Sequence, residues 1–297
     1  MFELKLSPLT ASLSLAAVAV AWGAIPLFVR NDVSSVGLVG VRVTFGAVAL
    51  IIAAAAFGKL RFPAMHRARL VVAGVLLTAH WAAFFQSIKL TSVAVALSVM
   101  YIGPIAAAIL SGPILGESVP RRLWIALGVA ASGTVVVVQP WALGDEGASS
   151  VQGIALAGLA AVLLAALMIV GKPAARDLRG LTMSMAELTV AAVILAPATV
   201  AALSDHPDQL VNFLILGAVF TGLAGFVYWE VFRTIPVAAV STLMYIEPAS
   251  AVIWAMIFLN ESPAVMTWLG IGLVIAGGAM AAATPVDEPA THLNVAL

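Results

Sequence analysis

Apolar residues fill this chain in long blocks, and short polar breaks divide them. A helix needs roughly 20 such residues to cross a bilayer. Ten blocks fit, at about 9–29, 36–57, 70–88, 92–113, 122–140, 153–171, 181–203, 210–232, 237–259 and 265–284. Arg30-Asn-Asp32, Gly58-Lys-Leu-Arg61, Gly144-Asp-Glu-Gly147, Ser204-Asp-His-Pro207 and Asn260-Glu-Ser-Pro263 separate several of them. Many connections are short, so neighbouring helices should run antiparallel in a compact, all-α, polytopic bundle. The Pro-rich and polar stretch 285–297 is expected to be a disordered cytoplasmic tail.

The blocks fall into two sets that match at a shift of 144 residues. Met100-Tyr-Ile-Gly-Pro104 returns as Met244-Tyr-Ile-Glu-Pro248, and Glu117-Ser118 as Glu261-Ser262. Trp124 matches Trp268, Gly128 matches Gly272, Gly133 matches Gly277, and Leu15–Val18 matches Leu159–Val162. The expected units are 9–141 and 153–284, each with five spans. Five is odd, so the second copy enters the membrane from the opposite side. The halves should be inverted repeats around a central cavity, and such duplication is a signature of secondary transporters.

Composition supports a membrane chain. Hydrophobic residues make up 63% and charged residues 9%, against about 25% charged in a soluble domain. Zero net charge gives nucleic acid no purchase, and the absence of Cys removes disulfide and thiolate chemistry. The first block lacks a small-residue cleavage site and is taken as a span, not a signal peptide. With the N-terminus inside, Lys5, Lys59, Arg61, Arg67, Arg69, Arg121, Arg122, Lys172, Arg176, Arg179 and Arg233 are all cytoplasmic. Only Arg30 and Lys89 lie outside. The positive-inside rule then places both termini in the cytoplasm.

Ionisable residues at depth are costly and single out candidates. Arg42, His80, Glu187, Glu230 and Glu247 qualify. A looser alignment sets Arg42 opposite Glu187. A structural ion pair, or snorkelling to the interface, is favoured there over substrate or proton handling. Glu230, near a block end, suits an interface role. His80 and Phe84 share a helix face at i, i+4, and Phe84 matches Tyr228. Such a face suits a ring-shaped or amphipathic ligand, with aromatic packing as the plain alternative. Pro104 and Pro248 each remove a mid-span hydrogen bond and free the carbonyl of Met100 or Met244. They are the candidate hinges, with Tyr101 and Tyr245 beside them. Glu247 stands where the first copy has Gly103, and could bind an amine or carry a proton. Ser118 and Ser262 suit helix N-caps. Gly128, Gly272 with Ala276, and Gly277 with Ala281, the pairs at helical spacing, suit close helix packing.

On Ala21-Trp-Gly-Ala24, Arg42, Glu247-Pro248, Glu261 and the Gly-spaced final spans of each half, the chain resembles EamA-type members of the drug/metabolite transporter superfamily. The resemblance covers nearly all of 9–284. It implies a ten-helix basket with a cavity lined by spans 1, 3, 4, 6, 8 and 9, and with spans 5 and 10 peripheral. Gly103-Pro departs from the family pattern, and Ala166 stands where span 1 has Trp22. The run His80-Trp81 to Phe85 and the Tyr pair look most like bacterial exporters of aromatic and other amino acids.

The sequence therefore points to an exporter of small amphipathic metabolites, foremost amino acids including aromatic ones, working by alternating access at a midplane site. The expected cavity wall is Trp22, His80, Phe84, Tyr101, Met168, Tyr228, Tyr245 and Glu247, with His80 and the Tyr hydroxyls orienting the substrate's polar groups. The alternative is proton-coupled export of cationic drugs or another metabolite. A passive channel is a further reading. An intramembrane enzyme would need a nucleophile with a base, or a metal cluster. Of His66, His80, His206 and His292, only His80 lies in a span, and no His-x-x-x-His exists. No catalytic residue, metal ligand or cofactor is assigned. The expected partners are the small-molecule substrate, the lipid bilayer and, in the alternative, protons.

Overall fold

A computed structural model describes residues 7–29, 32–58, 64–91, 93–139, 141, 150–259 and 264–284. The expected tail 285–297, with Glu261 and Ser262, lies outside the described residues. The chain is all-helical, with no strand among the described residues. The helices are α1 (Pro8–Trp22), α2 (Ile25–Val29), α3 (Ser35–Ala56), α4 (Arg67–Leu90), α5 (Val93–Met100), α6 (Ile102–Leu115), α7 (Arg121–Val138) and α8 (Val151–Asp177). There follow α9 (Gly180–Ile194), α10 (Ala196–Asp205), α11 (Leu210–Gly217), α12 (Ala224–Phe232), α13 (Val237–Met244), α14 (Ile246–Leu259) and α15 (Val265–Ala282). A π-helical turn, Ala218–Leu223, joins α11 to α12.

Each apolar block forms helix. Seven stretches are long and apolar enough to cross a bilayer, or eight if α9 and α10 count as one. The block carrying α1 and α2, and α7, are helical but outside that set. Two blocks expected as continuous helices are broken. The first stops at Gly23, and α9 meets α10 at 73° around Leu195. Pro197 explains the second break, because it has no N–H to continue the helical ladder. Ser118 does not cap α7: the preceding residue is Pro120, and no side chain caps that end.

Charged groups gather at one end of the bundle. Glu117, just past α6, accepts from the Val237 amide that begins α13 (2.8 Å) and from Arg176 (3.2 Å). Lys172 lies 3.6 Å from it and donates to the Phe232 and Ile235 carbonyls. One carboxylate thus joins α6 to α8 and α13. Nearby, Glu230 caps the start of α9 through the Gly180 amide (2.7 Å) and pairs with Arg233 (3.0 Å). His66 meets Asp177 at 2.6 Å, tying the start of α4 to the end of α8.

Helices α7 and α15 form an intimate pair through missing side chains. A Cβ on Gly133 would lie 2.8 Å from the Gly270 carbonyl oxygen, and one on Gly277 would lie 2.7 Å from that of Ala126. Gly128 and Gly272, expected in the same contact, have nothing within 4 Å of an added Cβ and face outward. The two glycine sets should behave oppositely. Gly133→Val should destabilise the solubilised protein by about 1–3 kcal/mol, since overpacking shifts backbone, whereas Gly128→Val should be near neutral. Melting temperatures of the two variants check this, and equal values would refute the packing assignment.

Candidate functional site

A cavity of about 580 Å³ lies inside the bundle. It extends from the breaks beside Tyr101 and Met244 toward the end where α4 finishes and α5 and α15 begin, reaching Ile88, Val93 and Thr267. None of the charged groups at the opposite end lines it.

The two breaks are latched across the chain. Helix α5 ends at Met100 and α6 resumes at Ile102; α13 ends at Met244 and α14 resumes at Ile246. Pro104 and Pro248 follow each break within the first turn and cannot donate a backbone bond. The Tyr101 hydroxyl donates to the Met244 carbonyl (3.1 Å), and the Tyr245 hydroxyl donates to the Tyr101 carbonyl (2.6 Å). The rings sit 5.0 Å apart. The Met244 carbonyl that Pro248 frees thus takes its donor from the first break, and the Tyr245 hydroxyl ties the second break back to the Tyr101 carbonyl, next to the Met100 carbonyl that Pro104 frees.

The π turn holds two residues of the cavity wall, Arg42 and Trp22, without lining the cavity itself. Helix α3 lies on the turn through Gly46, Gly217 and Gly222, where an added Cβ would meet backbone at 3.0–3.2 Å. That approach brings the Arg42 Nε to 3.2 Å from the Thr221 hydroxyl. The guanidinium stacks over Trp81 (4.5 Å to the ring centre) and Phe85 (5.2 Å). The turn also exposes the Phe220 carbonyl, which takes the Trp22 indole N–H at 2.8 Å. π turns recur at functional sites because they present backbone groups an α-helix would bury in its own ladder.

His80 stacks on Phe84, with centroids 6.3 Å apart and planes within 4°. Its Nδ1 lies 2.8 Å from the Ala160 carbonyl on α8, which can only accept, so Nδ1 carries hydrogen. In the neutral ring Nε2 is then an acceptor on the cavity wall. The Glu187 carboxylate accepts from the Trp229 indole N–H through Oε1, while Oε2 meets no protein donor. Glu247 lies within electrostatic reach of the Tyr101 hydroxyl and Arg42.

Trp22, His80, Phe84, Tyr101, Met168, Tyr228 and Glu247 all line the cavity, as do Pro104 and Pro248. Tyr245 does not: it is buried behind the latch. Both Tyr hydroxyls donate to backbone carbonyls, which leaves their oxygens as acceptors. Arg42 and Glu187 overturn the favoured reading of a structural ion pair. They stand on packed helices, are 2% and 4% exposed, and form no salt bridge with each other. Both line the cavity, with Trp81 and Trp229, which the sequence reading left out of the wall. Val137 of α7 and Thr267 of α15 also reach it, so the helices of spans 5 and 10 are not wholly peripheral.

The profile of the EamA-like transporter family matches residues 9–139 and again residues 151–282. The chain belongs to the EamA-like transporter family. Its relatives include two Bacillus subtilis proteins. One is the uncharacterized transporter YxxF, 24% identical over 214 residues, which cover 70% of this chain and 67% of that protein. The other is the uncharacterized transporter YwfM, 25% identical over 234 residues, which cover 75% of this chain and 77% of that protein. A solved crystal structure shares the fold with a TM-score of 0.77 at 19% identity, over 92% of this chain and 98% of its own. This EamA-like chain is therefore a multi-pass membrane transporter.

In this transporter the Tyr latch should carry measurable stability. Tyr245→Phe keeps the ring but strips the Tyr101 carbonyl of its donor. A buried acceptor left unsatisfied costs about 1–3 kcal/mol, so the melting temperature should fall clearly. An unchanged melting temperature would show that another group satisfies that carbonyl.

Proposed function

We propose that this transporter exports small amphipathic metabolites, foremost amino acids including aromatic ones. The observation that carries the reading is the cavity itself: its wall is aromatic and aliphatic, yet Arg42, His80, Glu187 and Glu247 reach it without ion-pairing one another. Ligand sites combine a mostly apolar lining with a few placed polar groups. An amphipathic substrate would lay its apolar body on Trp22, Phe84 and Tyr228 and turn its polar groups to the charged ones.

On this reading the chain makes ten spans in two inverted five-helix repeats, 9–141 and 153–284, which rock about the latched breaks by alternating access. Pro104 and Pro248 would be the hinges. The basic end with Arg121, Arg122, Lys172 and Arg176 would face the cytoplasm of a bacterial inner membrane. The cavity then opens toward the outer side. Proton-coupled export of cationic drugs or another metabolite is the second reading, favoured by the two carboxyl groups on the wall, Glu187 and Glu247.

Reconstituted protein should take up labelled phenylalanine or tryptophan into liposomes faster than protein-free vesicles do. Repeating the assay with and without a proton gradient separates the readings. Uptake of cationic drugs but of no amino acid would replace the first reading with the second. His80→Ala should insert normally yet bind substrate about ten- to hundredfold more weakly, the equivalent of one charge-assisted hydrogen bond. A lowered melting temperature with unaltered concentration dependence would assign His80 to structure.

A further inference from the structure

We infer that Glu187 is the ammonium site of the cavity, and that the transported compounds are primary amines with an apolar or aromatic body. The inference rests on the proposed reading of the cavity as a site for small amphipathic metabolites. It adds which group reads the amine.

Four observations meet at this carboxylate. Its side chain is 4% exposed, yet it lines the cavity. Oε1 is engaged by the Trp229 indole, and no protein donor reaches the buried Oε2. One turn earlier on the same face of α9, the Ser184 hydroxyl is also buried without a protein partner. Across from it stands Gly225 of α12, itself on the cavity wall, where a Cβ would come within 2.8 Å of that hydroxyl. A glycine there keeps the space beside Ser184 clear of protein.

Buried polar groups are normally hydrogen-bonded. In its ionised form Glu187 only accepts, so the partner that would complete it is a donor, and a cationic donor gains most there. An alkylammonium offers three N–H groups. One would meet Glu187 Oε2, and Ser184, a turn away on α9 and not itself on the cavity wall, offers a second acceptor. The ring faces of Tyr228 and Trp22, 5.7 Å apart between centroids, suit the rest of the cation and the apolar body. A divalent metal suits the place poorly. Mg²⁺ and Ca²⁺ take about six or more oxygen ligands, and no cluster of three metal-binding side chains occurs among the described residues.

The protein's own cations do not supply the partner. Arg42, on the packed helix α3, is held by Thr221, Trp81 and Phe85. His80, from α4, turns Nδ1 to the Ala160 carbonyl. Neither cation pairs with the Glu187 carboxylate: among the described residues no salt bridge reaches it, and its Oε2 has no protein donor, whereas no Glu247 oxygen is left buried without a partner. Of the two carboxyl groups on the wall, Glu187 is the one that awaits a cation from outside the protein.

Binding to the purified protein tests this with 2-phenylethylamine, 2-phenylethanol and phenylalanine. The amine and the alcohol share a body and differ in the ammonium. Wild-type protein should bind the amine about ten- to hundredfold more tightly than the alcohol, as a charge-assisted hydrogen bond implies. Glu187→Gln keeps an acceptor for Trp229 and should erase that preference, while Glu247→Gln should retain most of it. Equal wild-type binding of amine and alcohol overturns the inference, whether or not the Gln variant folds. So does a preference that survives Glu187→Gln and vanishes in Glu247→Gln. Failure of the amino-acid reading looks different: 2-phenylethylamine is preferred through Glu187, but phenylalanine neither binds nor moves. If phenylalanine binds wild type and Glu187→Gln equally, that reading stands and the inference falls. Absence of binding by all three probes overturns both.

Discussion

A helix broken inside a bilayer leaves carbonyls that water cannot reach, and each costs several kcal/mol if unsatisfied. This chain breaks helices at Tyr101 and at Tyr245 and ties the two breaks to each other with one device. Each break carries a tyrosine whose hydroxyl serves the other break, to the Met244 carbonyl in one direction and the Tyr101 carbonyl in the other. The two bent helices must therefore sit side by side, and the cavity lies beside their junction. Any motion that parts the breaks gives up both bonds together, which makes a discrete switch more natural than a gradual opening.

The same economy governs the charges on the wall. Arg42 and Glu187 stand on packed helices and could have neutralised each other. Instead each is held by aromatic groups: Arg42 over Trp81 and Phe85, Glu187 by the indole of Trp229. These partners orient a charge without cancelling it. A closed Arg–Glu pair would be a structural element and would offer little to a ligand. The π turn is part of this arrangement, since it places Thr221 under Arg42 and the Phe220 carbonyl against Trp22.

Much of the fold was legible because a bilayer imposes a length: apolar blocks of span length became helices nearly throughout. The 144-residue echo also led straight to Met-Tyr-Ile-x-Pro, where the breaks are. The pairings were not legible, because they depend on how each helix is rotated about its axis. Alignment set Arg42 opposite Glu187, but only rotation decides whether they touch. Gly128 and Gly133 look alike in the sequence, and only Gly133 meets α15. The partner Gly270 lies outside the repeat match and had no signal beyond its size. The bend at Leu195 did have one, in Pro197, which the apolar run concealed. Nothing in the run from Ala218 to Leu223 announces a π turn, because it follows from the close approach of α3.

The departure from internal symmetry at Glu247 has a packing cause. In the first copy, Gly103 lies against α8, and a Cβ there would come within 2.7 Å of the Ala161 carbonyl. No carboxylate side chain fits. In the second copy α14 approaches α1 just as closely, but the glycine belongs to the other helix: a Cβ on Gly23 would lie 2.8 Å from the Glu247 carbonyl. The residue matching Gly23 at the 144-residue shift is Leu167, which keeps its side chain and lines the cavity. Close contact thus demands one glycine per crossing but not a particular helix to carry it. Exchanging the bearer gives one copy a leucine on the wall and the other a glutamate. That exchange makes the two sides of the junction unlike, with Leu167 of α8 on one side and Glu247 of α14 on the other.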